Sequence, residues 1–205
     1  MKATPACIIL AAGASRRMGR TKALLPWGEV PLLEHLAQVV HQAGIDKVVA
    51  VGGAHYDKLL PVARAAGIGA CENPLWETGM GSSLATGLKW ILDHAPGTEA
   101  VVVLLADQPL VSARYLKEML REYQKHPGFV IATGYKASPG VPVLFPRAFW
   151  EPLFDLQGGQ GAKAYLQSIP EQCRILDGGD AVLDIDTPDA YTRALERAGL
   201  IKKTK

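Results

Sequence analysis

Residue types suited to holding a polyphosphate gather at three places in the sequence. The first is Leu10-Ala11-Ala12-Gly13-Ala14-Ser15-Arg16-Arg17-Met18-Gly19-Arg20-Thr21-Lys22, directly after a short aliphatic run. Glycines let backbone N–H groups approach phosphate oxygens closely, while Arg17 supplies a planar fork and Lys22 a mobile point charge. Leu10, Ala11, Ala12, Gly13, Ser15, Arg17 and Lys22 are therefore expected to wrap a nucleoside triphosphate. The second place is Asp107, at the end of the apolar run 100–106. A carboxylate facing a triphosphate is repelled unless a hard divalent cation lies between them, and Mg2+ accepts one or two carboxylates together with phosphate oxygens. Asp107 is thus the first candidate metal ligand, against the plainer reading of a turn-forming Asp before Pro109. The third place is Asp184 and Asp186. Two residues apart, they share a face if the chain is extended there, with Ile185 on the other, and either could complete the metal site.

Two familiar phosphate motifs fail on spacing. A Walker loop needs four residues between its glycines and Lys-Ser or Lys-Thr after the second, but Gly13 and Gly19 enclose five and Ala23 follows Lys22. A dinucleotide fingerprint needs Gly-x-Gly-x-x-Gly, and Ser15 stands where its second glycine belongs. The bland reading is an ordinary strand-to-helix loop with solvated arginines.

The elements that must position these residues alternate between short aliphatic runs and amphipathic stretches, the pattern of parallel strands joined by crossover helices. Residues 7–11, 47–51, 69–72, 100–106 and 129–133 read as strands, and 32–43, 56–66, 82–94 and 112–125 as helices, with Gly44 and Gly67 closing two of them. Residues 100–106 are rich enough in Val and Leu to form a central strand buried on both faces. In an open parallel sheet ligands bind outside the carboxyl ends of the strands, which is where both the glycine-rich loop and Asp107 fall. Pro139, Gly140 and Pro142 weaken a central-strand reading of 135–145 and suggest a substrate-facing loop or edge hairpin. A strand near 181–185 and a helix over about 188–198 end the chain, with Thr187 as N-cap and Pro188 at the first helical position, and with Asp189 read as structural.

Bulk composition narrows the class. With 22 Lys and Arg against 20 Asp and Glu, the net charge of +2 gives no broad basic field for a nucleic acid. No apolar run reaches about 18 residues and none resembles a signal peptide, so a cytoplasmic protein without membrane contact is expected. Cys7, Cys71 and Cys173 are odd in number and far apart, which indicates reduced thiols rather than a disulfide framework. The five histidines form no metal-ligand spacing, and Trp27, Trp76, Trp90 and Trp150 read first as packing residues.

The opening loop resembles the L-A-A-G-x-S-x-R-M-G-x-x-K signature of the MobA-like molybdopterin nucleotidyltransferases, a group within the nucleotidyltransferases of GT-A type fold. The resemblance continues through Asn73-Pro74-x-Trp76-x-x-Gly79-Met80, Ser83-Leu84-x-x-Gly87, Asp107-Gln108-Pro109, Gly140-x-Pro142 and Asp184-Ile185-Asp186-Thr187-Pro188. It implies a single three-layer α/β/α domain over 1–205 with a mostly parallel, Rossmann-like central sheet. Residues up to about 110 would bind nucleotide and about 111–200 the acceptor. The chain is most similar to the cytidylyl-transferring members, which implies transfer of CMP from CTP to the terminal phosphate of molybdopterin cofactor, with Mg2+ as cofactor and pyrophosphate as leaving group.

Carried over position by position, the resemblance makes Arg17, Lys22 and Asp107 catalytic, Asp107 and Asp186 the metal ligands, and Ser83 a contact to base or ribose, although Ser82 and Ser83 could equally be N-caps. Gly140, Pro142, Lys163 and Asp184 fall to the acceptor side. The segment Gly158-Gly159-Gln160-Gly161-Ala162-Lys163 departs from the usual Gly-Asp-x-Gly-Ala-Arg, and Lys163 lacks the bidentate geometry of arginine. Guanine-using relatives commonly carry two glycines where this chain has Ala12-Gly13, so the Ala12 methyl is expected to favour a pyrimidine. A molybdoenzyme or its maturation chaperone is the candidate protein partner. The competing readings are guanylyl transfer to the same cofactor, nucleotidyl transfer to a sugar or alcohol phosphate, and non-catalytic cofactor delivery. A dinucleotide-dependent oxidoreductase would want a third glycine and a ribose-binding acid, neither of which is found.

Overall fold

The computed structural model describes residues 5–14, 18, 20–135, 138–156 and 161–202. In chain order its elements are β1 (Pro5–Leu10), a hairpin of β2 (Pro26–Trp27) and β3 (Val30–Pro31), α1 (Leu32–Gln42), β4 (Lys47–Gly52), α2 (Tyr56–Ala65), β5 (Gly69–Glu72), α3 (Met80–His94) and β6 (Ala100–Leu105). They continue with α4 (Ala113–Lys125), β7 (Val130–Tyr135), β8 (Ser138–Pro146), α5 (Glu151–Phe154), α6 (Ala162–Ser168), β9 (Cys173–Asp177) and α7 (Pro188–Arg197). None of the described helices is long and apolar enough to cross a membrane.

Seven strands form one sheet in the order β5-β4-β1-β6-β8-β7-β9. Every neighbouring pair is parallel except β6 with β8 and β8 with β7, so β8 alone runs against the rest. Alternating side chains of the central strands feed two cores. Cys7, Ile9, Val102 and Leu104 pack under α1, α2, α4 and α7, whereas Ala6, Ile8, Val101 and Val103 pack under α3, α5 and α6. Burial on both faces explains why β1, β4 and β6 read as unbroken aliphatic runs rather than alternating ones. The expected three-layer α/β/α architecture is the one observed.

Helix ends follow local chemistry. Gly44 and Gly67 take φ of +89° and +70° just beyond α1 and α2, and Ser112 and Thr187 accept from Tyr115 N–H and Ala190 N–H at the starts of α4 and α7. α3 begins two residues before the expected 82. Its N-cap is Gly79, at φ +121°, with no side-chain cap, so Ser82 and Ser83 stand inside the first turn and are not caps.

Two expectations for the C-terminal third are overturned. Residues 138–146 form neither a loop nor an edge hairpin: β8 lies between β6 and β7. Its ladder to β6 stops at Val103–Val143, so Pro139 and Pro142 fall where only β7 is alongside. The β7 register shifts between Ala132 and Thr133 at that point, and Pro142 there offers its carbonyl to the Thr133 hydroxyl. The expected strand near 181–185 is instead a 3-10 turn over Gly179–Val182 followed by extended chain, and the last strand is β9. Gly178 allows the turn, since a Cβ there would lie 2.3 Å from Val182 Cγ1 and 2.7 Å from Thr133 Cγ2.

α3 lies close against the sheet at Gly87, where a Cβ would lie 2.7 Å from Ile8 Cγ2 and 3.0 Å from Val51 Cγ2. Gly87→Val should therefore cost about 1–3 kcal/mol through overpacking, read as a lowered urea midpoint with an unchanged denaturant slope.

Candidate active site

The site is built where β1 and β6 end side by side. Ala11 N–H bonds Val51 O at 2.9 Å and Ala12 O accepts from Ala54 N–H at 3.2 Å, which fixes the start of the loop after β1. Ala106 N–H bonds Leu10 O at 3.0 Å, so Asp107 leaves the tip of β6 next to that loop. Lys22 returns from the far side of the loop, on the short 3-10 turn Lys22–Leu24. Asp186 arrives on the extended segment before α7, held there because Ile185 is fully buried and its N–H bonds Asp107 O at 2.9 Å.

These elements bring together one cation and two anions separated by 85 and 164 residues of sequence. Lys22 Nζ donates to Asp107 Oδ2 at 2.8 Å and to Asp186 Oδ1 at 2.5 Å. Their side chains are 16, 23 and 41% exposed, so water screens the cluster chiefly on the Asp186 side. Burial works against the Lys22 charge, but Asp107 and then Asp186 outweigh it and hold the ammonium above its ordinary value. Asp107 Oδ1 takes no part in this pairing. It is buried and has no hydrogen-bond partner among the described residues. An orphaned hard oxygen on a carboxylate is a donor set that fits a hard divalent cation. Among the described residues no group of three or more His, Cys, Asp or Glu side chains could hold a metal alone, so such an ion would need ligand oxygens from elsewhere.

Beside the cluster lies a cavity of about 430 Å3. Of the residues expected at the nucleotide, Leu10, Ala11, Ala12, Gly13, Lys22, Ser83 and Asp107 all line it, while Ser15 and Arg17 lie outside the described residues. A second cavity, of about 1030 Å3, opens on the C-terminal side. Leu10, Met80 and Leu105 line both, so the two meet at the strand tips. Gly140 and Lys163 line the larger one. Pro142 and Asp184 are not in its wall: the Pro142 carbonyl is taken by Thr133 Oγ1, and Asp184 Oδ1 by Gln108 Nε2 at 3.0 Å.

Several residues here carried no assignment from the sequence. Gln108 is fully buried and reaches Tyr135 Oη at 2.7 Å and Val141 O at 3.2 Å as well as Asp184. Burial raises the Asp184 carboxyl above its usual range; the Gln108 bond opposes this, and the neighbouring Asp107 and Asp186 charges add to it. Burial and Asp184 push the Tyr135 hydroxyl up to about 12, which keeps it protonated to donate to Val141 O at 2.5 Å. Trp76 forms part of the smaller cavity and packs so close to Gly53 that a Cβ there would lie 2.6 Å from the Trp76 Cβ. Asn73 holds both Ser82 and Ser83 at 2.9 Å. Asn73, Trp76 and Gln108 fall inside sequence motifs that could have flagged them; Tyr135 does not. On α1, His35 Nε2 lies 3.2 Å from Pro109 O, so the neutral ring, protonated at Nε2, ties the turn after Asp107 to the first helix.

Residues 7–173 match the family model described as the MobA-like NTP transferase domain. The nicotine blue oxidoreductase of Paenarthrobacter nicotinovorans is 30% identical over 92% of this chain and 95% of its own length. A molybdenum cofactor guanylyltransferase of Xanthomonas euvesicatoria is 35% identical over 57% of this chain and 54% of its own. The molybdenum cofactor cytidylyltransferase of Escherichia coli is 24% identical over 93% and 95%. A Mycobacterium tuberculosis H37Rv protein, solved as its complex with manganese, superposes with a TM-score of 0.73 and 25% identity over 96% of this chain and all of that one.

Two outcomes test the geometry. Lys22→Met should cost on the order of 1–3 kcal/mol of stability, because two carboxylates lose their shared counterion, and added Mn2+ should raise the melting temperature of this variant more than that of the parent. For His35, burial lowers its pKa against a weaker opposing pull from Pro109 O, so the unfolded chain binds the extra proton first. Stability should therefore fall as pH drops below about 6.5 and level off beneath the folded value. Thermal unfolding of His35→Gln beside the parent should show that part of the slope removed.

Proposed function

This chain belongs to the MobA-like NTP transferase family, and from that premise we propose that it moves CMP from CTP onto the terminal phosphate of molybdopterin cofactor, with release of pyrophosphate. The observation that carries the reading is the pairing of Lys22 with Asp107 and Asp186 at a strand-tip cavity, with the buried Oδ1 of Asp107 left without a partner among the described residues. Phosphoryl chemistry of this kind asks little covalent participation of a protein and depends on alignment and on neutralising charge.

In the proposed reaction a phosphate oxygen of the acceptor attacks the α-phosphorus of the nucleotide. The new P–O bond forms as the bond to the β-phosphate breaks, and the electron pair leaves on pyrophosphate. A divalent cation such as Mg2+, if bound, would be held by Asp107 and Asp186 and would supply charge neutralisation at the phosphates; a structural relative is solved as a complex with manganese. Lys22 already carries its charge into the cavity, and Arg17 joins it from the loop on the strength of the sequence alone. Gly140 and Lys163 line the adjoining cavity, which is where the acceptor would approach. On this reading residues to about 110 serve the nucleotide and those from about 111 to 200 the acceptor, within one domain.

The choice of CTP rests on Ala12, whose methyl is buried in the nucleotide cavity, and is supported by the cytidylyltransferase relative; the guanylyltransferase relative makes GTP the competitor. A second reading has its own support. One relative matched over 95% of its own length is named an oxidoreductase, and a dinucleotide could enter the same crevice. Loss of reduced-nicotinamide fluorescence without pyrophosphate release would favour it.

Asp107→Ala should lower pyrophosphate release by at least about 100-fold while leaving circular dichroism near that of the parent; a parental rate with Mg2+ would reject the assignment. Ala12→Gly should shift the CTP-to-GTP ratio of kcat/KM toward GTP by roughly tenfold, measured by crossing four nucleotides with molybdopterin and sugar-phosphate acceptors.

A further inference from the structure

We infer that Asn73 is a positioning residue that orients the Ser83 hydroxyl, so that Ser83 presents its proton to the nucleotide as a hydrogen-bond donor. This rests on the proposal above that the cavity beside Lys22 and Asp107 holds the nucleotide.

Asn73 follows β5 and is 2% exposed, with its backbone N–H on Gly52 O at 2.8 Å. Its Oδ1 accepts from Leu75 N–H at 3.0 Å. That bond decides which end of the amide is oxygen, because a backbone N–H can only donate. The Nδ2 end therefore faces α3, and its two hydrogens go one each to Ser82 Oγ and Ser83 Oγ, both at 2.9 Å.

A serine hydroxyl has one proton to give. Ser82 gives its proton to main-chain oxygens, Gly79 O at 2.8 Å and Leu75 O at 3.0 Å. Ser83 differs. It receives from Asn73, yet among the described residues no oxygen takes its own proton. Ser83 is 3% exposed and lines the cavity that Ala12 and Lys22 share. A buried hydroxyl that already accepts one bond and whose proton has no protein partner among the described residues is completed by an acceptor on a ligand. The matching group is a carbonyl oxygen or bare ring nitrogen of the base, or a sugar oxygen. An N–H edge is disfavoured, because it would leave the buried Ser83 proton without an acceptor.

Calorimetric titration of CTP with Mg2+ into the parent, Asn73→Asp, Ser83→Ala and the double variant tests this. Asp at 73 keeps the shape and the acceptor for Leu75 N–H but loses both donors, so Ser83 can turn its proton back to the new carboxylate. Asn73→Asp and Ser83→Ala should each raise Kd about tenfold, and the double variant no further than the larger single effect. Parental affinity in Asn73→Asp, or losses that multiply in the double variant, would overturn the inference. Should the buried acid unfold the chain, Asn73→Ala closes the same cycle with the same two outcomes. If the parent itself binds none of CTP, GTP, ATP and UTP, the nucleotide reading fails and this inference with it, before any variant is compared.

Discussion

Where β1 and β6 end, Lys22 bridges Asp107 and Asp186 and offsets the repulsion between their carboxylates. Like charges about 4 Å apart repel on the order of 4 kcal/mol at a dielectric near 20. The remaining arrangement follows from satisfying that demand. The loop after β1 has to double back to deliver Lys22, and the last extended segment has to lie against the tip of β6, where the Ile185 N–H on Asp107 O secures it. Any second cation that enters competes with an ammonium already in place. A polyphosphate offers Lys22 somewhere else to go, so anion and metal would be favoured to arrive together.

Much of this could be read from residues alone, for a physical reason. The strands β1, β4 and β6 are buried on both faces, so their aliphatic runs are long and unbroken, and the residue after such a run is placed at a strand tip by geometry. Asp107 and the glycine-rich loop were legible in that way. β8 was hidden because its prolines lie where β6 no longer pairs with it, which the sequence cannot display. β9 was hidden because it is an edge strand, exposed enough to carry Arg174 within it. Gln108 and Asn73 were quoted only as letters of motifs. Their roles come from partners brought close by folding, such as Asp184, 76 residues from Gln108, and from hydrogen-bond counts that need both ends of an amide in view.

The family and the fold are secure at a level coarser than the reaction. A sheet that presents a phosphate-sized cavity beside a larger apolar one can host group transfer or redox chemistry with few changes, and the relatives include enzymes named for both.

The lone reversed strand also bears on how the chain is made. β8 is made after both of its sheet neighbours, yet it must slot between β6 and β7. Until the ribosome has passed residue 146, β6 is an unprotected sheet edge, with the apolar flanks of Val101 and Val103 beside open backbone groups. The half of the molecule that carries Lys22 and Asp107 is therefore not a self-sufficient unit. A chain released early would be sticky along that edge.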